Sequence, residues 1–123
     1  MLKFDCMLLD KLFYSQIGDL DLFLLVKKSD IKAFEELYNR YWAALVNTAN
    51  KRLNSREKAE DIAQNIFIDL YRRRDTIELT TSLKAYLHQA LKFKILNEYR
   101  SEQIRIKYQK SLFFNTGCKI DFA

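Results

Sequence analysis

The scarcity of turn-forming residues is the feature that most constrains how this chain can fold. Its 123 residues include two glycines and no proline, whereas average usage would give about nine glycines and about six prolines. Sandwiches, barrels and hairpin stacks need residues that tolerate positive or fixed φ at each chain reversal. The sequence therefore predicts an all-α fold, a compact bundle of about four helices in a single domain.

Apolar residues recur with a helical period in four segments, at residues 20–28, 34–53, 59–71 and 83–110. Side chains suited to helix ends stand between these segments. We expect Asp30 to cap the second helix, Asn54 and Glu57 to form a capping box for the third, and Thr81 or Ser82 to cap the fourth. Residues 75–81 have no helical period, which predicts a loop.

The sequence indicates less about structure at the two ends of the chain than in the helical segments. We expect residues 1–19 to form an N-terminal extension, residues 20–110 the helical domain, and residues 111–123 a tail or the start of a linker. Cys6 and Cys118 lack metal-ligand spacing, which suggests reduced thiols. The longest uncharged apolar run near the N-terminus, residues 22–26, is far shorter than the roughly 18 residues of a spanning helix. These features predict a cytoplasmic protein with no membrane span.

Positive charge is concentrated in the fourth predicted helix. Residues 1–83 carry thirteen Lys or Arg and thirteen Asp or Glu, whereas residues 84–110 carry seven against two. The net charge of +5 therefore comes from one segment. A polyanion such as nucleic acid is the natural partner of such a segment, although a solvated helix face gives the same pattern.

The residues offer little for catalysis. The chain has one histidine, His88, and neither a glycine-rich phosphate loop nor a cysteine in a motif with that histidine. Adjacent carboxylates such as Glu60 and Asp61 point to different faces of a helix. We therefore expect a binding protein with no enzymatic activity, no cofactor and no metal.

Two candidate binding surfaces follow from the helical pattern. One is the polar flank of the third helix, where Asp61, Gln64 and Asn65 stand beside large apolar residues. The other is the basic side of the fourth helix with the loop before it, where an aromatic ring could stack on an unpaired base. Aromatic residues at helical spacing also suit a core, and the arginines at residues 72–74 also suit the negative end of a helix dipole.

Three segments occur in an order and spacing known from one family. They are KKSD, KAFEELY and RYW within residues 27–42, AEDIAQNIF at residues 59–67, and RRD with LKAYL within residues 73–87. Together they resemble region 2 of the extracytoplasmic-function (ECF) sigma factors of the sigma-70 family, over about residues 20–110. The resemblance implies the helical fold of sigma region 2.

The resemblance also implies partners and site residues. Region 2 of that family docks on the clamp helices of the largest subunits of core RNA polymerase. Its last helix and the preceding loop, here residues 75–82, bind the minus-ten element of promoter DNA and capture an unpaired base. On this basis the polymerase-binding residues are Asp61, Gln64, Asn65, Phe67 and Tyr71, and the DNA-binding residues are Arg74, Lys84, Tyr86, His88, Gln89, Lys92 and Arg100.

The chain departs from the family pattern at three points. Asn65 stands where the family usually has glutamate, and Phe93 stands where many members have an asparagine. A phenyl ring cannot form a hydrogen bond with a base edge, so Phe93 weakens the expectation of sequence reading. The family's second helical domain does not fit into the thirteen residues after Lys110. This suggests a piece of a longer protein, a truncated gene product or a stand-alone region 2.

Three functions are open at this point. The first is a promoter-specificity domain that works on core RNA polymerase. The second is a helical interaction domain that binds polymerase or an anti-sigma factor without reading DNA. The third is an unrelated helical bundle that binds nucleic acid by itself.

Overall fold

The described structure, residues 11–112 of a computed structural model, consists of helices joined by short turns and one longer loop. The four helices are α1 (Asp19–Lys27), α2 (Ile31–Leu53), α3 (Arg56–Arg72) and α4 (Leu83–Leu112). Residues 11–15 are also helical, and no strand occurs between residues 11 and 112. The predicted all-α bundle of about four helices is therefore confirmed. The predictions for Cys6 and Cys118 concern residues outside this range.

One apolar core joins the four helices. α1 and α3 both pack against α2, and α4 lies against α2 and α3. Every helix contributes side chains that are almost fully buried, among them Leu22, Leu37, Phe67, Leu83 and Leu87. Burial of one such leucine or phenylalanine contributes about 1.5–3 kcal/mol to the free energy of folding. The helical spacing of these residues in the sequence thus accounts for the bundle.

Polar side chains cap two helices at predicted positions. Asp30 Oδ1 accepts hydrogen bonds from the backbone N–H groups of Lys32 and Ala33, at 3.1 and 3.2 Å. Ser82 Oγ accepts a hydrogen bond from the Ala85 N–H at 3.1 Å, so α4 begins directly after Ser82. Residues 73–82 are not helical, and this range includes the loop predicted at residues 75–81.

Asn54 has a different role from the one that we predicted. It adopts the left-handed conformation, with φ of 52°, and its N–H donates to the Asn50 carbonyl oxygen at 2.8 Å. It therefore ends α2. The N-cap of α3 is Ser55, whose Oγ accepts a hydrogen bond from the Lys58 N–H at 3.3 Å. Asparagine tolerates left-handed backbone better than most residues and so suits a helix C-terminus. The predicted capping box of Asn54 with Glu57 is wrong.

The turn between α1 and α2 contains a second left-handed residue, Ser29, with φ of 69°. The Ser29 N–H donates to the Val26 carbonyl oxygen at 2.8 Å, and the Asp30 N–H donates to the Leu25 carbonyl oxygen at 3.1 Å. These two bonds form a Schellman motif, in which glycine usually occupies the left-handed position. A residue with a side chain costs about 1–2 kcal/mol there, so other contacts must hold this turn in place.

The segment before α1 is attached to α2 through Arg40. Its guanidinium donates to the carboxylates of Asp19 and Glu36, each at 2.8 Å, and to the Ile17 carbonyl oxygen at 2.7 Å. The Tyr41 hydroxyl donates to the same Asp19 carboxylate. Burial, and then this hydrogen bond, raise the pKa of Tyr41 from 10.0 to about 12. The last residues of the predicted N-terminal extension are thus bound to the bundle.

Candidate functional site

The predicted polar flank of the third helix lies on the outer side of α3. Asp61, Gln64 and Asn65 are exposed, and Ile68, one turn further along, is 47% exposed. These four residues, here named the outer face of α3, follow the i, i+3, i+4, i+7 spacing of one helix side. The face combines a carboxylate, two amides and an aliphatic side chain. This mixture of apolar area with hydrogen-bonding groups is typical of a surface that contacts another protein.

Phe67 does not belong to the outer face, which corrects our prediction that it contacts polymerase. It is 2% exposed, and its ring centroid lies 4.9 Å from that of Tyr38 and 6.4 Å from that of Trp42. A side chain so enclosed cannot reach a partner unless the bundle opens. Phe67 therefore supports α3 from inside the core. Ile68 is the exposed apolar residue instead, and the sequence could have revealed it because it completes the i+7 position from Asp61.

Tyr71 lies at the junction of α2 and α3, beside the outer face. It is half-buried, and its ring centroid lies 5.1 Å from that of Phe34 in an edge-to-face arrangement. The guanidinium carbon of Arg74 lies 4.2 Å from the Tyr71 ring centroid. Such aromatic and cation–π contacts stabilise the fold. Tyr71 is thus a packing residue in this structure, and only its exposed part is available to a partner.

Arg74, which we predicted to bind DNA, is engaged within the protein. Its Nη1 donates to the Tyr71 carbonyl oxygen at 2.8 Å, and its Nη2 donates to Ser29 Oγ at 3.0 Å. Its Nε is buried and has no partner among the described residues. The side chain therefore holds the end of α3 against the α1–α2 turn. Arg72 and Arg73 are exposed, so they are the cations that a ligand could reach at this end of α3.

The loop between α3 and α4, residues 73–82, is anchored at its beginning and open at its end. The N–H groups of Thr76 and Ile77 donate to the Arg73 carbonyl oxygen at 2.9 and 3.1 Å, and Ile77 is 4% exposed. Leu79 is half-buried against the core, whereas residue 78 and residues 80–82 are exposed. Within the predicted base-capture loop, the exposed residues are therefore Asp75 and Thr76 before the buried Ile77, and residues 78 and 80–82 after it.

The predicted cations of α4 are accessible. Lys84, Lys92 and Arg100 are exposed, and none of them forms an ion pair with another residue in the range 11–112. His88 is half-buried, and its Nδ1 lies 2.9 Å from the Lys84 carbonyl oxygen. Because a carbonyl oxygen only accepts, Nδ1 is the donor in this pair. The orientation of His88 is thus fixed by its own helix.

Tyr86 and Gln89 lie on the side of α4 that faces α3. Together with Phe93 they border a groove of about 410 Å³ between the two helices. Tyr86 is half-buried and packs against the core, and Gln89 is exposed. Phe93 is 62% exposed, so the aromatic ring at the position where we expected asparagine is accessible to a ligand.

His88 and Lys92 lie on the opposite side of α4, which faces α2. With Tyr99 they border a second groove, of about 250 Å³, to which Arg52 of α2 contributes a further cation. Arg52 could not be identified from the sequence, because only tertiary packing brings the end of α2 beside α4. The predicted DNA-binding residues of α4 therefore lie on two sides of the helix.

Neither a metal-binding cluster nor a membrane-spanning helix occurs in the part of the chain that the structure describes. No group of three or more His, Cys, Asp or Glu residues is arranged to hold a metal ion. No helix there is both long and apolar enough to cross a membrane.

Comparison with known proteins matches more than half of the chain to one family. The family model described as Sigma-70 region 2 matches residues 37–104, more than half of the chain. The matched range includes the outer face of α3, the loop at residues 73–82 and all the predicted DNA-binding residues. No curated protein and no solved structure matches the chain.

Proposed function

Because this chain belongs to the sigma-70 region 2 family, we propose that it is the region 2 domain of an ECF-type bacterial sigma factor. It docks on core RNA polymerase through the outer face of α3, and it binds and opens the minus-ten promoter element with α4 and the loop before it. It acts in the cytoplasm without enzymatic activity or a cofactor. The match over residues 37–104 carries the proposal, because that range includes both surfaces. An unrelated nucleic-acid-binding bundle is no longer an alternative.

The outer face of α3 supports the docking half of this function. The Asp61 carboxylate is exposed and forms no ion pair within residues 11–112. A partner's arginine or lysine can therefore bind it without displacing an internal cation. Gln64 and Asn65 add hydrogen-bond donors and acceptors, and Ile68 adds apolar area. Asn65, in place of the usual glutamate, removes one negative charge but keeps the capacity for hydrogen bonds.

The loop and the start of α4 support the DNA half. Lys84 and Lys92 are exposed cations that can contact phosphates, which position a protein on DNA. A base taken out of its stack needs a site that encloses it. Residues 78 and 80–82 are exposed and belong to the irregular backbone directly before α4, next to Lys84. An irregular loop can surround a base, whereas a helix surface is too flat.

Binding to core RNA polymerase tests the docking half. We expect a double variant, Asp61→Ala with Gln64→Ala, to bind polymerase at least about tenfold more weakly than the parent chain, which is about 1.4 kcal/mol. The matched control is Glu35→Ala with Asn39→Ala, which removes an acid and an amide from exposed positions on α2. Failure of the parent chain to bind, or equal binding by the double variant and the parent, would show that the proposal is wrong.

A second function is favoured by Phe93. Its ring is 62% exposed on the helix assigned to DNA, and an exposed aromatic side chain suits a protein partner, such as an anti-sigma factor, that covers α4. Forked DNA with a randomised minus-ten region, offered to the polymerase-bound chain, distinguishes the two functions. Promoter binding predicts capture of a subset of sequences and weaker capture by a Lys84→Gln, Lys92→Gln variant. Absence of any sequence preference favours the interaction domain.

A further inference from the structure

Helix α4 extends beyond the bundle that it helps to form. Its last buried apolar residue is Ile95, and residues 103–112, here named the projecting segment, are all exposed. At a rise of about 1.5 Å per residue, this segment is about 15 Å long. The family match ends at residue 104, so family membership alone does not say what the projecting segment contacts.

Some cations of α4 are neutralised by neighbouring carboxylates. Lys94 pairs with Asp69 of α3 at 2.9 Å. Arg105 pairs with Glu102, one turn before it on the same helix. The side of α4 that carries Lys94 and Arg105 is therefore balanced in charge.

Besides Lys84, four unpaired cations of α4 lie on a different side. Lys92, Arg100, Lys107 and Lys110 are exposed, and none forms an ion pair within the described range. The intervals from Lys92 to the other three, 8, 15 and 18 residues, are about 2.2, 4.2 and 5.0 turns at about 3.6 residues per turn, so all four side chains lie within about a quarter of the helix circumference. The four side chains therefore form one row, here named the basic stripe. By the same count, Arg105 lies roughly half a turn away from this row.

The length of the basic stripe suits a nucleic-acid duplex. From Lys92 to Lys110 it runs about 27 Å along the helix axis, which equals about eight base pairs at about 3.4 Å per pair. The two acidic residues of α4, Glu98 and Glu102, form ion pairs with Lys58 of α3. The stripe is thus a row of exposed cations that attracts a polyanion and repels a second copy of itself.

We propose that the basic stripe binds the phosphate backbone of duplex DNA adjacent to the site where the start of α4 engages the promoter. This inference rests on the proposed function, since the stripe continues the α4 surface assigned to DNA there. Contacts to phosphates carry no sequence information. The stripe therefore adds affinity for any duplex that extends past the minus-ten site.

Salt-dependent binding of the full chain to mixed-sequence DNA tests the stripe. The variant is Arg100→Gln, Lys107→Gln, Lys110→Gln, in which exposed cations become neutral residues of good helix propensity. The probes are forks with equal single-stranded arms and a duplex of about 5 or about 24 base pairs. Each lost phosphate contact lowers the slope of log affinity against log salt by about 0.9. We expect a slope smaller by two to three, and affinity at low salt about tenfold weaker or more, on the long duplex only.

Arg105→Gln is the matched control for Lys107→Gln, because each removes one positive charge from the projecting segment. Only Lys107→Gln should weaken binding to the long duplex. The inference is overturned if the triple variant binds like the parent, if both duplexes lose affinity equally, or if Arg105→Gln has the same effect as Lys107→Gln. It is also overturned if the triple variant keeps its DNA affinity but loses affinity for core polymerase, since the stripe would then bind protein.

Polymerase binding by the parent chain separates this inference from the proposed function. If the parent binds polymerase and the stripe variants bind DNA like the parent, the inference alone fails. If the parent does not bind polymerase but the stripe variants lose duplex affinity as expected, the proposed function fails and the stripe stands as a duplex-binding surface.

Discussion

The Arg74 guanidinium donates a hydrogen bond of 3.0 Å to the Ser29 hydroxyl, across 45 residues of sequence. Ser29 occupies a left-handed position that glycine would fill more easily. Its hydroxyl gives this turn a contact that glycine could not provide. The α3–α4 loop, which carries the proposed base-capture residues, is thus held in place by the turn between α1 and α2.

Replacement of Arg74 should destabilise the fold. We expect Arg74→Ala to lower the free energy of unfolding by about 1–3 kcal/mol, because hydrogen bonds from a charged donor to Ser29 and Tyr71 are lost. For a domain of this size, each kcal/mol lowers the melting temperature by roughly 4–8 °C. Thermal unfolding followed by circular dichroism measures the change. Arg72→Ala removes an exposed arginine from the same helix end and should change stability by less than about 0.5 kcal/mol. Equal shifts in the two variants would contradict this role of Arg74.

Asn54 and Asn47 should respond in opposite directions to the same substitution. Asn54→Ala places a residue with a larger left-handed penalty at φ of 52°, so we expect a loss of about 1 kcal/mol in the free energy of unfolding. Asn47 is an exposed residue inside α2, where alanine has the better helix propensity and should stabilise by a few tenths of a kcal/mol, roughly. Denaturant unfolding measures both. Stabilisation by Asn54→Ala would argue against the left-handed helix end.

The hydroxyl of Tyr41 should make stability depend on pH in the alkaline range. Its pKa is raised from 10.0 to about 12 in the folded state, so the unfolded chain loses this proton first as pH rises. The contribution of Tyr41 is fully present below about pH 10 and is lost as the pH rises towards about 12. We expect the melting temperature of the parent to fall more steeply over this range than that of Tyr41→Phe. Parallel curves for the two proteins would show that burial and the hydrogen bond to Asp19 do not raise the pKa of Tyr41.

Ile68 and Phe67 are neighbours in sequence, but substitution of Ile68 should affect polymerase binding, whereas substitution of Phe67 should affect stability. We expect Ile68→Asp to weaken polymerase binding at least about tenfold, with a change in stability of less than about 0.5 kcal/mol. Phe67→Ala removes a buried ring and should cost about 3–5 kcal/mol of stability. Binding assays and thermal unfolding on both variants measure the contrast. Normal polymerase binding by a folded Ile68→Asp variant would exclude Ile68 from the docking surface.

Helical periodicity in the sequence predicts the four helices because packing in the core requires apolar residues at that spacing. The predicted segments 20–28, 34–53, 59–71 and 83–110 correspond to α1, α2, α3 and α4, with ends that differ by at most three residues. Each helix must bury an apolar stripe, and that requirement is visible in the order of residues. The polar side of α3 was predictable for the same reason, since Asp61, Gln64 and Asn65 lie opposite the buried stripe.

Contacts between distant segments could not be predicted in this way. The Arg74–Ser29 bond and the position of Arg52 beside α4 depend on how the helices pack, and no local pattern encodes them. The burial of Phe67 does not follow from the family motif, because a motif marks a position without saying whether its side chain is buried. The role of Asn54 is ambiguous in the sequence, because asparagine suits both the end of one helix and the start of the next.

The burial of Ile77 decides where the α3–α4 loop can change in length. An insertion before Ile77 would pull this side chain out of the core, whereas added residues between Leu79 and Ser82 would displace no fully buried side chain. Lengthening an exposed loop costs little, about 0.6 kcal/mol for a doubling. An insertion between Leu79 and Ser82 therefore changes the proposed base-capture loop while the buried core stays unchanged.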